Sequence, residues 1–106
     1  MLELNKENFE DEVTNYKEKP VFVDFWGDKC ETCKALMPDV EKLAEEYKDK
    51  IKFCSLNTSH SRRLAISQRV LGLPTMAIYN GGEKVETLTP DNVSLDSIKS
   101  MIKKYI

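Results

Sequence analysis

The chain has 106 residues, the size of one domain and too few for two. Its 16 lysines and arginines almost balance 18 aspartates and glutamates, and the resulting formal charge of -2 argues against binding to nucleic acid or to an anionic membrane. Hydrophobic residues make up 41% of the chain, which is enough for a core and excludes an intrinsically disordered chain. We therefore expect one globular domain over residues 1–106.

The sequence shows no feature typical of export or membrane insertion. The segment Met1–Glu7 is charged and lacks the apolar stretch of a signal peptide. The longest apolar runs fall far short of the roughly 18 residues that cross a bilayer. Three cysteines, an odd number at low density, do not resemble a secreted disulfide framework. We expect a cytoplasmic protein whose cysteines serve redox or metal chemistry.

The hydrophobic pattern changes period along the chain, which predicts alternating strands and helices. Leu2 and Leu4 alternate with polar residues as in a short edge strand, and Asn5 can cap a helix over residues 6–17. Residues 21–26 form a nearly continuous run of β-branched and aromatic side chains. Such a run predicts a central strand buried on both faces.

A long helix is predicted to begin near Cys30, because apolar residues recur at helical spacing from Leu36 to Tyr47. Pro38 lies inside this helix and should kink it without ending it, since the periodicity continues beyond the proline. Residues 51–56 then alternate as a third strand.

The last part of the chain predicts a short helix, a β-hairpin and a terminal helix. These elements cover residues 59–70, 75–79, 84–88 and 95–105. Ser59 or Ser61 can cap the short helix, and Asn80-Gly81-Gly82 supplies the hairpin turn. The order βαβαβαββα implies an α/β fold, a three-layer sandwich in which helices flank a central mixed β-sheet.

Cys30 and Cys33 lie in the predicted turn between the buried strand and the long helix. Backbone N–H groups at a helix amino terminus stabilise an anion, and Lys29 and Lys34 add positive charge, so Cys30 is the predicted nucleophile. One helical turn brings Cys33 within reach of a mixed disulfide on Cys30, which makes it the predicted resolving thiol. A carboxylate at Glu31 opposes a thiolate and therefore favours a reductase.

The cysteines and the histidine could also serve a metal site or a structural role. The Cys30–Cys33 pair is half of a zinc site only if other ligands exist, yet Cys54 falls in a predicted strand and His60 is the single histidine. We therefore expect no metal. Cys54 is predicted to be a small buried hydrophobic residue, and His60 a surface residue at a helix start.

Four segments match the pattern of the thioredoxin family in order and spacing. They are Val23–Trp26, Cys30–Lys34, Pro38 and Gly72–Thr75. The chain thus resembles a thioredoxin over essentially its full length, which implies a single thioredoxin-like domain over residues 1–106. The resemblance also implies a cytoplasmic protein-disulfide reductase, a thioredoxin-type electron carrier whose redox-active disulfide, Cys30–Cys33, works without a bound cofactor.

The resemblance assigns further site residues. Asp24, expected to be a half-buried acid with a raised pKa in an apolar strand, would act as general acid and base for Cys33. The groove for a partner's extended segment would be shaped by Trp26, Leu73, Pro74 and Thr75. Pro74 matches the family's cis-proline, and a cis Leu73–Pro74 bond would let the Leu73 backbone pair with that segment.

The chain departs from the family pattern around the thiols. Lys29 replaces a tryptophan, and Glu31-Thr32 replaces Gly-Pro, so the surface around the thiols should be more polar. Ser55 stands where the family has a lysine near the buried acid, and Pro90 or Thr89 stands where it has a glycine in the groove. We expect redox tuning by Lys29, Glu31, Thr32 and Lys34.

The implied partners are disulfide-containing proteins and a flavin-dependent thioredoxin reductase or an equivalent donor. A monomer that binds neither nucleic acid nor membrane is expected. Alternative functions are an adaptor or electron donor dedicated to one partner enzyme, and a disulfide oxidase or isomerase. The altered dipeptide resembles that of some thioredoxins that serve selenium-dependent amino-acid reductases in anaerobes.

Overall fold

The computed structural model describes all 106 residues, which build one five-stranded sheet and three α-helices. The strands are β1 (Leu2–Leu4), β2 (Val21–Trp26), β3 (Lys52–Asn57), β4 (Thr75–Asn80) and β5 (Glu83–Leu88). The helices are α1 (Glu31–Tyr47), α2 (Arg62–Ser67) and α3 (Leu95–Lys103), with a π-helical segment at Glu10–Thr14 and a 3₁₀ turn at Pro90–Asn92. The predicted element order is confirmed.

The sheet is mixed and has the strand order β1-β3-β2-β4-β5. Both β1 and β2 run parallel to β3, whereas β4 runs antiparallel to β2 and to β5. Strand β2 therefore lies at the centre with a partner on each side. This position explains its apolar sequence, because a central strand covered on both faces meets no water.

Each face of the sheet carries its own part of the core. Val23 and Phe25 of β2 pack with Phe9 and with Val13 of the π-helical segment. The other side of β2 packs through Phe22 against the apolar residues of α1 and α3. Because successive strand residues point to opposite faces, Asp24 shares the face that α1 covers. The predicted three-layer sandwich is confirmed.

The first predicted helix is shorter than residues 6–17. Asn5 Oδ1 accepts hydrogen bonds from the backbone N–H groups of Glu7 and Asn8 at 2.9 and 3.0 Å, so the predicted cap is present. The turn then widens, since the Asn15 N–H donates to the Glu10 carbonyl at 2.8 Å, and regular structure is limited to the π-helical segment.

Helix α2 ends at Ser67, before the predicted Val70, because Arg69 adopts a left-handed backbone with φ of 62°. Ser61 occupies its N-cap position without a side-chain capping bond. Helix α1 runs through Pro38 to Tyr47, as predicted. No helix combines the length and the apolar character that crossing a bilayer requires.

The β4–β5 hairpin turns through Gly81 and Gly82, whose φ angles are 65° and 89°. Positive φ at both central positions is typical of a two-residue hairpin turn and favours glycine. A Cβ at Gly82 would also clash with the backbone carbonyl of Thr14, so this turn sits directly on the π-helical segment.

Candidate active site

Cys30 and Cys33 are joined in a disulfide at the start of α1, with their Cα atoms 5.2 Å apart. Cys30 is the N-cap residue and is partly exposed, whereas the side chain of Cys33 is buried at 1% exposure. A partner in solution can therefore reach Cys30 but not Cys33.

The first turn of α1 places one backbone donor beside the Cys30 sulfur and another at the Cys30 carbonyl. The Cys33 N–H donates to Cys30 Sγ at 3.2 Å, and the Lys34 N–H donates to the Cys30 carbonyl at 3.1 Å. Lys29, Lys34 and Glu31 are exposed around this turn, and neither lysine forms an ion pair. The helix terminus and the two lysines favour a thiolate at Cys30, and the Glu31 carboxylate opposes it.

Asp24 lies in the centre of the sheet without a polar partner. Its side chain is fully buried, not half-buried as expected, and neither carboxylate oxygen accepts a hydrogen bond. Desolvation raises the pKa of Asp24 to about 7. The absence of a cation follows from the sequence, since the residue opposite Asp24 in β3 is the buried Ser55.

Ser55 also connects Asp24 with a surface depression. It pairs in register with Asp24 on one side and with Glu3 of β1 on the other. A cavity of about 420 Å³ between this edge of the sheet and α1 is lined by Met1, Glu3, Trp26, Lys34, Met37, Pro38, Glu41 and Ser55. Ser55 lines this cavity, whereas Asp24 does not.

Leu73 lines the same cavity as Cys30. The Leu73–Pro74 bond is cis, Pro74 and Thr75 are buried, and the Thr75 hydroxyl donates to the Gly72 carbonyl at 2.6 Å. Leu73 packs on the loop before Cys30, since a Cβ at Gly27 would lie 2.9 Å from Leu73 Cδ1. The structure thus places Leu73 beside Cys30, and the expected groove stays a prediction.

The expected role of Trp26 as a wall of the site stays a prediction. Trp26 is partly exposed at the end of β2 and lines the cavity beside Ser55, not the one that holds Cys30 and Leu73. Pro90 lies beside Gly72, where a Cβ would meet Pro90 Cγ at 3.1 Å, so a proline does border the Gly72 segment. Thr32 is exposed on the first turn of α1.

A polar network that sequence reasoning missed holds the loop before Cys30. Asp28 Oδ1 accepts a hydrogen bond from Asn57 Nδ2 at 2.8 Å, and Asp28 Oδ2 lies 3.0 Å from His60 Nε2. The Asp28 N–H donates to Ser59 Oγ at 3.0 Å. The bond from Asn57 holds the pKa of Asp28 below its ordinary value, with a further contribution from His60. His60 is exposed, as expected, but it has this partner.

The remaining cysteine is remote from this chemistry. Cys54 is fully buried and free, and desolvation raises the pKa of its thiol to about 12. Its predicted role as a small hydrophobic residue is consistent with this burial, because a thiol that does not ionise is unreactive. No group of three or more histidine, cysteine or acidic side chains is arranged as a metal site.

The comparisons with known proteins decide the family. The model of the family described as thioredoxin matches residues 1–104. A thioredoxin of Peptoclostridium acidaminophilum is 49% identical over 106 residues, which cover all of this chain and 96% of that relative. The chain belongs to the thioredoxin family. The disulfide at the start of α1 fits the family's Cys-x-x-Cys motif.

Other thioredoxins are similar to this one over different shares of their length. A thioredoxin of Acetoanaerobium sticklandii is 47% identical over 109 residues, covering 100% of both chains. A chloroplastic M-type thioredoxin of Chlamydomonas reinhardtii is 38% identical over 82% of this chain and 61% of its own. This thioredoxin is a thiol–disulfide oxidoreductase and a protein-disulfide reductase, as the sequence predicts.

Proposed function

We propose that this thioredoxin reduces disulfides of partner proteins in the cytoplasm as one domain over residues 1–106. The Cys30 thiolate attacks one sulfur of the partner disulfide, which forms a mixed disulfide and releases the other partner sulfur as a thiolate. Cys33 loses its proton and attacks Cys30 Sγ, which releases the second partner thiol and closes the Cys30–Cys33 disulfide. Two electrons pass to the partner, and no bound cofactor takes part.

One observation carries the order of attack. Cys30 is accessible at the N-cap of α1, whereas Cys33 is buried behind it. The attacking sulfur must meet a macromolecular partner, and the resolving sulfur needs only to reach Cys30. The helix terminus supports the first role, because it stabilises the attacking thiolate.

Asp24 is proposed to accept the proton of Cys33. An acid with a pKa of about 7 is divided between its two forms near neutral pH, so it can take up a proton and return it in the reverse reaction. Full burial without a polar partner keeps the carboxylate free for this transfer. The transfer is proposed to pass through water, with Ser55 beside the carboxylate.

The partner segment is proposed to dock in extended conformation beside Leu73, whose backbone pairs with it by strand addition. Pro74 and Thr75 fix the shape of this backbone, since both are buried and the Thr75 hydroxyl donates a hydrogen bond to the Gly72 carbonyl. Trp26 is proposed to contribute from the opposite side of the cysteines. The exposed residues Lys29, Glu31, Thr32 and Lys34 tune the thiols through charge and through the first turn of α1.

The oxidised protein needs an electron donor to complete a cycle. We propose a flavin-dependent thioredoxin reductase or an equivalent donor, which reduces the Cys30–Cys33 disulfide by the same exchange chemistry. The protein is proposed to act as a monomer, with disulfide-containing proteins as substrates and without nucleic acid or membrane as partners.

Insulin reduction tests this proposal. With dithiothreitol as donor, the protein should accelerate insulin precipitation, and Cys30→Ser should abolish the acceleration. Cys33→Ser should trap the mixed disulfide, which mass spectrometry detects as a covalent adduct. Cys54→Ser is the matched control, because this thiol is buried and should leave the rate unchanged. Full activity in Cys30→Ser would contradict the proposal.

A further inference from the structure

Two neighbouring depressions lie on the side of Cys30 that faces α2. The first, which we call the disulfide cavity, has a volume of about 580 Å³ and is lined by Gly27, Asp28, Lys29, Cys30, Ser59, Arg62 and Leu73. The second, which we call the aliphatic pocket, has about 260 Å³ and is lined by Thr58, Ser59, Arg62, Ala65, Ile66, Val70, Leu71, Gly72 and Leu73. Ser59, Arg62 and Leu73 belong to both, so the two depressions are continuous.

The disulfide cavity is lined by two cations and one acid, and it therefore carries a net positive charge. Lys29 and Arg62 are exposed and form no ion pair. The one acid in the lining, Asp28, already binds Asn57 and His60. Glu31 is exposed nearby but does not line the cavity. A carboxylate that enters beside Cys30 would therefore find two cations without partners.

The aliphatic pocket presents apolar side chains to solvent. Leu71 is 91% exposed and Ile66 is 58% exposed, the two highest values among the exposed large hydrophobic residues. Exposed apolar residues that share one depression are typical of an interaction surface. They lie next to Gly72 and Leu73, the segment that leads into the cysteine site.

We propose that the disulfide cavity and the aliphatic pocket form one docking surface for a partner segment with an acidic residue beside its disulfide cysteine and a large aliphatic residue further along. The acid pairs with Lys29 and Arg62, and the aliphatic side chain covers Ile66 and Leu71. This inference rests on the proposed function and specifies its substrate class.

The charge contact and the apolar contact should change the association rate or affinity by different factors. A solvent-exposed charge pair changes an association rate or affinity by a factor of about 2–5, and salt weakens it. Partial burial of a leucine side chain changes it by a factor of about 10. Both effects concern recognition of the segment, and neither alters the exchange chemistry at Cys30.

The test uses the prereduced protein and synthetic peptides whose single cysteine is capped with 2-mercaptoethanol, a neutral leaving group. The parent peptide has a glutamate next to its cysteine and a leucine three residues further on. Two variants replace the glutamate with glutamine or lysine, and a third replaces the leucine with serine. Thiol release, measured by quenching and mass spectrometry, should be about 2–5 times slower with Gln, slower still with Lys, and about 10 times slower with Ser. High salt should remove the difference between Glu and Gln.

Variants of the protein identify the contacts. Arg62→Gln should shrink the Glu/Gln rate ratio, and Leu71→Ser should shrink the Leu/Ser ratio. Each ratio is measured within one variant, so partial misfolding does not alter it. Arg63→Gln, an exposed neighbour outside both depressions, and Val85→Ser, exposed on β5, should keep both ratios.

Equal rates across the peptide series, or the same loss of ratio in the controls as in Arg62→Gln and Leu71→Ser, would overturn this inference. Reduction of bis(2-hydroxyethyl) disulfide by the same preparation distinguishes failure of the docking surface from failure of the proposed function. A protein that reduces this neutral disulfide but shows equal peptide rates refutes only the docking surface. A protein that reduces neither refutes the proposed function as well.

Discussion

Asp24→Asn should stabilise the protein in a strongly pH-dependent way. The carboxyl is fully buried without a polar partner, and its pKa rises from 3.8 to about 7. The folded state therefore holds a proton that the unfolded state releases between these two values, and stability must fall as the pH rises through this window. Asparagine has nearly the same shape and does not titrate.

The magnitude follows from the same two values. Each pH unit of difference corresponds to about 1.36 kcal/mol, so the ionised carboxylate costs the folded state about 4 kcal/mol above pH 7. Near pH 4 the cost falls below about 1 kcal/mol, because this pH lies close to the pKa of the unfolded chain and the unfolded carboxyl is then partly protonated as well. The variant should thus gain little at pH 4 and about 4 kcal/mol at pH 8.

Guanidinium unfolding of the oxidised protein, followed by circular dichroism between pH 4 and pH 8, measures this difference. The other titrating groups are common to both proteins and cancel when the two free energies of unfolding are subtracted. A stability difference that does not change with pH would refute the reasoning, because it would mean that Asp24 titrates alike in the folded and unfolded chain.

Three further predictions concern individual residues. Asp24→Asn should also slow the attack of Cys33 on a mixed disulfide by about 100-fold at pH 7, since general-base assistance contributes at least that much; rapid-quench trapping of the mixed disulfide measures this step. Cys54 should resist iodoacetamide at pH 8 in the folded, oxidised protein and react after unfolding, because its pKa is raised to about 12 and its side chain is buried; mass spectrometry counts the adducts. Gly82→Ala should lower the free energy of unfolding by more than about 2 kcal/mol, because its φ is positive and its Cβ would clash with backbone. Gly81→Ala, with the same sign of φ but open space around it, should cost only about 1–2 kcal/mol.

Each of these has a clear contrary result. An unchanged resolution rate in Asp24→Asn would remove the carboxylate from the reaction. Labelling of Cys54 in the folded protein would mean that the strand opens under native conditions. Equal costs for the two glycine variants would show that the contact with the π-helical segment gives way.

Local pattern was sufficient to predict most of the fold. The central strand at Val21–Trp26 and the helix at Glu31–Tyr47 were both predictable. A continuous apolar run is typical of a strand buried on both faces, and a 3.6-residue period is typical of a helix with one face on the core. The first helix was overestimated at 6–17, because apolar spacing does not reveal where a helix widens into π geometry. The left-handed residue that ends α2 is an arginine, and no composition rule marks it.

The cysteine pair could be predicted from local spacing, and the more distant residues Asp24, Leu73 and Pro74 were expected only from the family resemblance. The polar network around Asp28 was not predictable from either. The disulfide between Cys30 and Cys33 follows from their spacing. The contact between Asp28 and His60 joins residues 32 positions apart, and it depends on how two loops meet at the end of the sheet. The strand pattern predicts that residues 21–26 are buried on both faces, but it does not reveal that the Asp24 carboxylate lacks a hydrogen-bond partner.

The reduction potential of the Cys30–Cys33 pair tests the central claim most directly. The protein is equilibrated with dithiothreitol or glutathione buffers of graded potential, and free thiols are trapped and counted by mass spectrometry. We predict a single two-electron transition at a potential below the cytosolic glutathione poise, as a disulfide reductase requires. A potential well above that poise, or failure to form the intramolecular disulfide, would contradict the assignment as a protein-disulfide reductase.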